Sequence, residues 1–161
     1  MLFCNTERCV PAEDLVDPLG HQRLLSVLRR RSASVALDRV EAVAGARCRA
    51  IELTTSIPDW HEAVAKAGAM TAPGGSRLVV GLGTVSSSAR AEQALDAGAA
   101  FLVSPFLAAA VQPVADRRGA ILIEGRPPPG EVAAAASKRL AKVFPARIGG
   151  PVDPEPQRRP H

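Results

Sequence analysis

The chain has few of the residues that build covalent cross-links or metal centres. Its 161 residues include three cysteines and three histidines. The cysteines are odd in number and lack the spacing of a CxxC pair, and the histidines are scattered along the chain. We therefore expect neither a disulfide framework nor a metal site. The residues concerned are Cys4, Cys9, Cys48, His21, His61 and His161.

Aromatic side chains are also scarce, at 3% of the chain with no tyrosine, which leaves little for a nucleic-acid base to stack on. The net charge of +4 is spread along the sequence. Its densest basic run is Arg29–Arg31, which follows a strand-like segment and is typical of a solvated or phosphate-facing loop. We predict no nucleic-acid partner. Nucleic-acid binding through the basic surface would be strongly salt-dependent.

Long apolar runs are missing as well. No stretch of about 18 apolar residues is available to span a membrane. The first residues, MLFCNTERCV, lack the positive start and apolar stretch of a signal peptide. The sequence thus predicts a cytoplasmic protein with no membrane partner.

Lysine is rare too. Among 20 basic residues there are three lysines, Lys66, Lys138 and Lys142. Lys142 lies inside the apolar run LAKVF. A lysine with the ordinary pKa near 10.4 is roughly 0.04% neutral at pH 7, whereas an apolar environment lowers its pKa and yields a nucleophilic amine. Arginine cannot supply a neutral amine, so a lysine at this position suggests a nucleophilic role.

What the chain does contain is a repeated pattern of strand-like runs followed by alanine-rich segments with helical spacing. A hydrophobic fraction of 47% with 22% charged residues fits one domain with a substantial core, over residues 1–150. The composition of the proline-rich tail, residues 151–161, predicts disorder. The predicted strands are 23–29, 49–54, 77–85, 100–105, 120–125 and 140–146.

Six strand-then-helix units predict an α/β fold with a parallel sheet, either an open doubly wound sheet or a barrel. The barrel is favoured, because chemically suggestive residues end successive strands, as they do at the mouth of a (β/α) barrel. A nucleotide-binding turn is disfavoured, since GLGTVS supplies two of the three glycines it needs. The strand-end residues are Arg29, Glu52, Thr84, Pro105 and Lys142.

Six short motifs carry a resemblance to a known family. VLR, IELT, VGLGTV, AGAAFLVSP, PGEV and KVFPA occur in this order between residues 27 and 146. In this order they resemble the 2-keto-3-deoxy-6-phosphogluconate (KDPG) and 4-hydroxy-2-oxoglutarate (KHG) aldolases. The resemblance implies a (β/α)8 TIM barrel, a homotrimer, a small 2-keto acid as substrate, and neither metal nor organic cofactor.

The resemblance also implies roles for individual residues. Lys142 would form a Schiff base with the keto carbon, and Glu52 would move protons. Thr84 and Gly83 would hold the substrate carboxylate, and Pro105 would line the pocket. Arg29 would contact an anionic substrate.

Plainer roles stand beside these. Lys142 can be a strand-end lysine that extends to water, and Glu52 can be an ion-pair partner of Arg49. Thr84 can simply begin a helix, and Arg29 can be a solvated loop charge.

The sequence departs from the family pattern at three points. Ser56 stands where KDPG-specific enzymes commonly have an arginine, and Glu124 replaces a proline, adding a carboxylate expected near the barrel mouth. Nothing resembles the seventh and eighth strands, so the predicted barrel is incomplete. Two hypotheses follow: a Schiff-base aldolase, which oligomerisation would complete, and an inactive truncated fragment that acts, if at all, through a partner chain.

Overall fold

Six parallel strands lie side by side in the order in which they occur along the chain. The computed structural model describes residue 22, residues 24–126 and residues 142–143. The strands are β1 (Ser26–Leu28), β2 (Ala50–Thr54), β3 (Val79–Gly83), β4 (Phe101–Ser104), β5 (Ile121–Arg126) and β6 (Lys142–Val143). Sequential order with parallel pairing is the arrangement of barrel strands, and it brings all the carboxyl ends to one edge.

Helices follow the first four strands: α1 (Ala33–Gly45), α2 (Trp60–Ala69), α3 (Ser88–Asp96) and α4 (Gln112–Arg118). Serine hydroxyls cap two of them. Ser32 accepts a hydrogen bond from the Val35 amide at the start of α1, and Ser87 accepts one from the Arg90 amide at the start of α3. Each cap satisfies a backbone donor that the helix itself leaves unpaired.

Alternation along the strands divides their side chains between two faces. One face packs against the helices, and its core includes Ile51, Leu53, Leu82 and Leu102. The other face, here called the interior, carries a smaller apolar cluster of Val79, Phe101, Val103 and Ile123. In β2 the residues that alternate with Ile51 and Leu53 are Ala50, Glu52 and Thr54, so these belong to the interior.

The predicted order of the strands is confirmed, as are the helices after the first four strands. Strands β1 to β4 are shorter than predicted, mostly at their amino ends, and β5 is shifted by one residue. The helix expected over residues 129–139 and the tail expected to be disordered, 151–161, lie outside the described residues. No helix in the described ranges is long and apolar enough to cross a membrane.

Candidate active site

Glu52 is the charged residue at the centre of the interior. It is buried, with 2% of its surface exposed, and lies near the carboxyl end of β2. Its side chain packs over Gly83 at the end of β3, since a Cβ on Gly83 would come within 2.6 Å of Glu52 Cδ and 2.8 Å of Cγ. Gly83 thus provides the space that the carboxylate occupies, and the contact brings these two sequence-predicted residues together.

Beneath this carboxylate the interior is apolar. The ring of Phe101 is fully buried and lies over Gly81, where an added Cβ would come within 2.5 Å of the ring Cζ. Gly81 is also the register partner of Glu52 on β3. Val27, its partner on β1, remains 45% exposed, so the interior beside Glu52 is open on that side. A carboxylate above an apolar base and beside an opening suits proton transfer to a bound molecule.

The strand register gives the position of Lys142. Lys142 pairs with Gly125 on β5, and Gly125 falls in the interior series with Ile121 and Ile123. Lys142 therefore takes a position in the interior series of β6, as its alternation predicts; its side chain is outside the described part. The sequence analysis did not single out Gly125. The available signal was a glycine near the end of the strand that precedes the strand of Lys142.

Pro105 lies beside this position, at the end of β4. A Cβ on Gly125 would come within 2.6 Å of the Pro105 carbonyl carbon, so the Pro105 backbone packs directly on Gly125. The ends of β4, β5 and β6 thus meet around Pro105, Gly125 and Lys142. Pro105 thus lies at the carboxyl-end edge of the sheet, and its role in lining the pocket is a proposal.

Thr84 follows Gly83 in an unusual backbone conformation. Its φ is +65°, in the left-handed region that β-branched residues rarely adopt. The Thr55 hydroxyl donates a 3.3 Å hydrogen bond to the Thr84 carbonyl, which ties the loop after β2 to the loop after β3. Strain of this kind is typical of functional loops and costs about 1–3 kcal/mol.

Because of this φ, we expect Thr84→Gly to stabilise the fold. Glycine adopts a positive φ without strain, and we expect the free energy of unfolding to rise by about 1 kcal/mol. Urea denaturation measures this change. The control is Thr71→Gly at an exposed position without positive φ, which should lose about 0.5–1 kcal/mol. Equal destabilisation by both substitutions would contradict the strain at Thr84.

Arg29 and Ser56 lie at the same edge. Arg29 follows β1 and is exposed, so it is accessible to a molecule at the mouth. Ser56 shares a 2.9 Å hydrogen bond with the Thr54 hydroxyl, which itself donates to the Leu28 carbonyl. Where an arginine was expected from the family pattern, this chain thus has a network of neutral hydroxyl groups.

Glu124 lies near the carboxyl end of β5 and is buried. It alternates with Ile123 and Gly125, so its position belongs to the helix-facing series of the strand. Its Oε1 accepts a 3.0 Å hydrogen bond from the Ala108 amide in the loop before α4. The added carboxylate therefore holds this loop against the sheet.

Comparison with known proteins decides the family. The family model for KDPG and KHG aldolase matches residues 16–154. This chain belongs to the KDPG and KHG aldolase family. A probable 2-dehydro-3-deoxy-6-phosphogalactonate aldolase of Rhizobium meliloti is 33% identical over 136 residues, covering 83% of this chain and 63% of that protein.

Two solved aldolases have the same fold. The KDPG aldolase of Zymomonas mobilis ZM4, solved with 3-phosphoglycerate, is 31% identical with a TM-score of 0.68, over 84% of this chain and 66% of that one. A KHG/KDPG aldolase from TTHB1 is 37% identical with a TM-score of 0.64, over 83% and 64%. The chain thus spans 63–66% of the length of these relatives.

No group of three potential metal ligands occurs among the residues that the structure describes. The acidic residue that the site presents to the interior is Glu52.

Proposed function

We propose that this chain is a class I aldolase that cleaves a 4-hydroxy-2-keto acid to pyruvate and an aldehyde through a Schiff base on Lys142. The observation that supports it most directly is the buried Glu52 carboxylate over Gly83, on an interior that also includes the position of Lys142. Membership of the aldolase family supports the same reaction.

In the proposed reaction the neutral Lys142 amine attacks the C2 carbonyl of the keto acid. The carbinolamine loses water to form an iminium, with Glu52 moving the protons. Glu52 then takes the proton of the C4 hydroxyl, the C3–C4 bond breaks, and its electron pair moves into the iminium to give an enamine. The aldehyde leaves, Glu52 returns a proton to C3, and water releases pyruvate and the free amine.

The substrate carboxylate is proposed to bind at Gly83 and Thr84, with Pro105 lining the pocket. Arg29 is exposed at the same edge and is proposed to contact an anionic group of the substrate. Ser56 offers a neutral hydroxyl where KDPG-specific enzymes commonly have an arginine, which favours 4-hydroxy-2-oxoglutarate over a phosphorylated six-carbon acid. We also propose that the protein is a cytoplasmic homotrimer that needs no cofactor.

The second candidate is a catalytically inactive fragment. It is favoured by the open side of the interior at Val27, which is 45% exposed beside Glu52. Such a fragment would act, if at all, through a partner chain.

The experiment that separates the two follows pyruvate release from 4-hydroxy-2-oxoglutarate and from 2-keto-3-deoxy-6-phosphogluconate, coupled to lactate dehydrogenase. We expect the wild type to turn over the first acid faster, and Lys142→Ala to abolish release of pyruvate. The control Lys66→Ala alters an exposed lysine of α2 that pairs with Glu62, and should keep wild-type activity. Folded wild-type protein without turnover would favour the inactive fragment.

A further inference from the structure

A cavity of about 470 Å³ lies at the amino-terminal edge of the sheet, opposite the edge that carries Glu52. Residues before the strands line it: Arg49 precedes β2, Arg77 precedes β3 and Ala100 precedes β4. The ends of α2 and α3 close its other side, with Gly68 and Gly98. We call it the amino-end cavity. Its volume is in the range of small-molecule sites.

Two guanidinium groups, those of Arg49 and Arg77, give this cavity its charge. Neither Arg49 nor Arg77 forms a salt bridge within the described ranges, where the salt bridges join Lys66, Arg117 and Arg118 to acidic residues. The Nε of Arg49 is buried and has no hydrogen-bond partner there. Burying such a donor costs about 1–3 kcal/mol.

The described lining contains no carboxylate that would compete with a bound anion. The arginine pair therefore favours an oxyanion, since guanidinium groups bind phosphate and carboxylate with paired, charge-assisted hydrogen bonds. Around them the wall is formed by Leu78, Val80 and the small residues of the helix ends, whose backbone carbonyls can accept hydrogen bonds from hydroxyl groups.

We propose that the amino-end cavity binds a small hydroxylated organic oxyanion, with Arg49 and Arg77 holding its charged group. Phosphate monoesters and hydroxy acids share this chemistry. Because the cavity and Glu52 lie at opposite edges of the sheet, this ligand and a keto acid bind at the same time. The proposal does not depend on aldolase activity, since no residue of the catalytic edge lines the cavity.

Calorimetric titration of the full chain tests the proposal, with glycerol 3-phosphate, glycerate and glycerol as probes. We expect saturable binding of at least one anion and no binding of glycerol. The anion that binds with the higher affinity shows whether the site prefers a phosphate or a carboxylate group. Arg77→Gln and Arg49→Gln should each weaken this binding at least about tenfold. The control Arg39→Gln, at an exposed position of α1, should bind as the wild type does.

Arg77 is exposed, so Arg77→Gln should leave the fold intact. Its effect on anion affinity can be measured even where Arg49→Gln, which removes a buried Nε, disturbs folding. Lys142→Ala should leave the anion affinity unchanged, which separates this site from the catalytic edge. Absence of saturable anion binding, or equal losses in Arg77→Gln and Arg39→Gln, would overturn the proposal. Binding of the anion that disappears in Lys142→Ala would overturn it as well, because it would place the ligand at the mouth.

Discussion

Replacing Glu52 with glutamine is expected to slow pyruvate release about 100-fold to 10 000-fold while the protein stays folded. Glutamine has nearly the same shape and fits over Gly83, but it cannot accept and return a proton. The loss should fall on kcat, because in the proposed reaction the carboxylate acts in the bond-breaking and enamine steps. Steady-state kinetics with 4-hydroxy-2-oxoglutarate, with circular dichroism to verify folding, measures the effect.

Glu124→Gln is the matched control for this substitution. Glu124 is also a buried strand-end glutamate, but it faces the helices and accepts from the Ala108 amide. A glutamine carbonyl can accept the same hydrogen bond, so we expect kcat within about twofold of the wild type. Equal losses in Glu52→Gln and Glu124→Gln would show that the effect is structural and would contradict the proton-transfer role.

The second large effect is expected from Gly81→Ala, which should lower the free energy of unfolding by about 2–3 kcal/mol. The added methyl would come within 2.5 Å of the Phe101 ring Cζ. Phe101 is fully buried in the interior cluster, so the ring has no free space into which it can move. Urea denaturation, followed by circular dichroism, provides the measurement.

Gly68→Ala is the control for this change, because it adds the same methyl group within α2. The nearest atom to its Cβ would be the Gly98 carbonyl oxygen, at 3.9 Å. Helix propensity favours alanine over glycine by about 1 kcal/mol, so this variant should be as stable as the wild type or more stable. A Gly81→Ala protein as stable as the wild type would contradict the packing of Phe101 on Gly81.

Much of this architecture was predictable from the sequence, for a physical reason. The 3.6-residue and two-residue periods are strong in this chain, so the order of strands and helices followed directly from them. Glu52 is the one charged residue in the run AIELT, and alternation alone assigned it to one face with Thr54. Alternation put Lys142 on one face with Leu140 and Phe144, but the assignment of its position to the interior comes from its register with Gly125.

Other features depend on contacts between segments that no local pattern reveals. Glu124 lies near a strand end as Glu52 does, but its hydrogen bond from the Ala108 amide joins β5 to the loop before α4, and no local pattern reveals that contact. The left-handed φ of Thr84 results from the turn between β3 and α3. The amino-end cavity joins Arg49 and Arg77 from separate strand–helix units, and each arginine looks like an ordinary surface charge in the sequence.

The most direct test of the central proposal is trapping of the Schiff base. The protein is incubated with pyruvate, reduced with borohydride, and analysed by intact mass and peptide mapping beside Lys142→Ala and Lys66→Ala. We predict one reduced pyruvate adduct on Lys142, retained in Lys66→Ala and absent from Lys142→Ala. Folded wild-type protein that gives no adduct, or an adduct on another lysine, would contradict a catalytic Lys142.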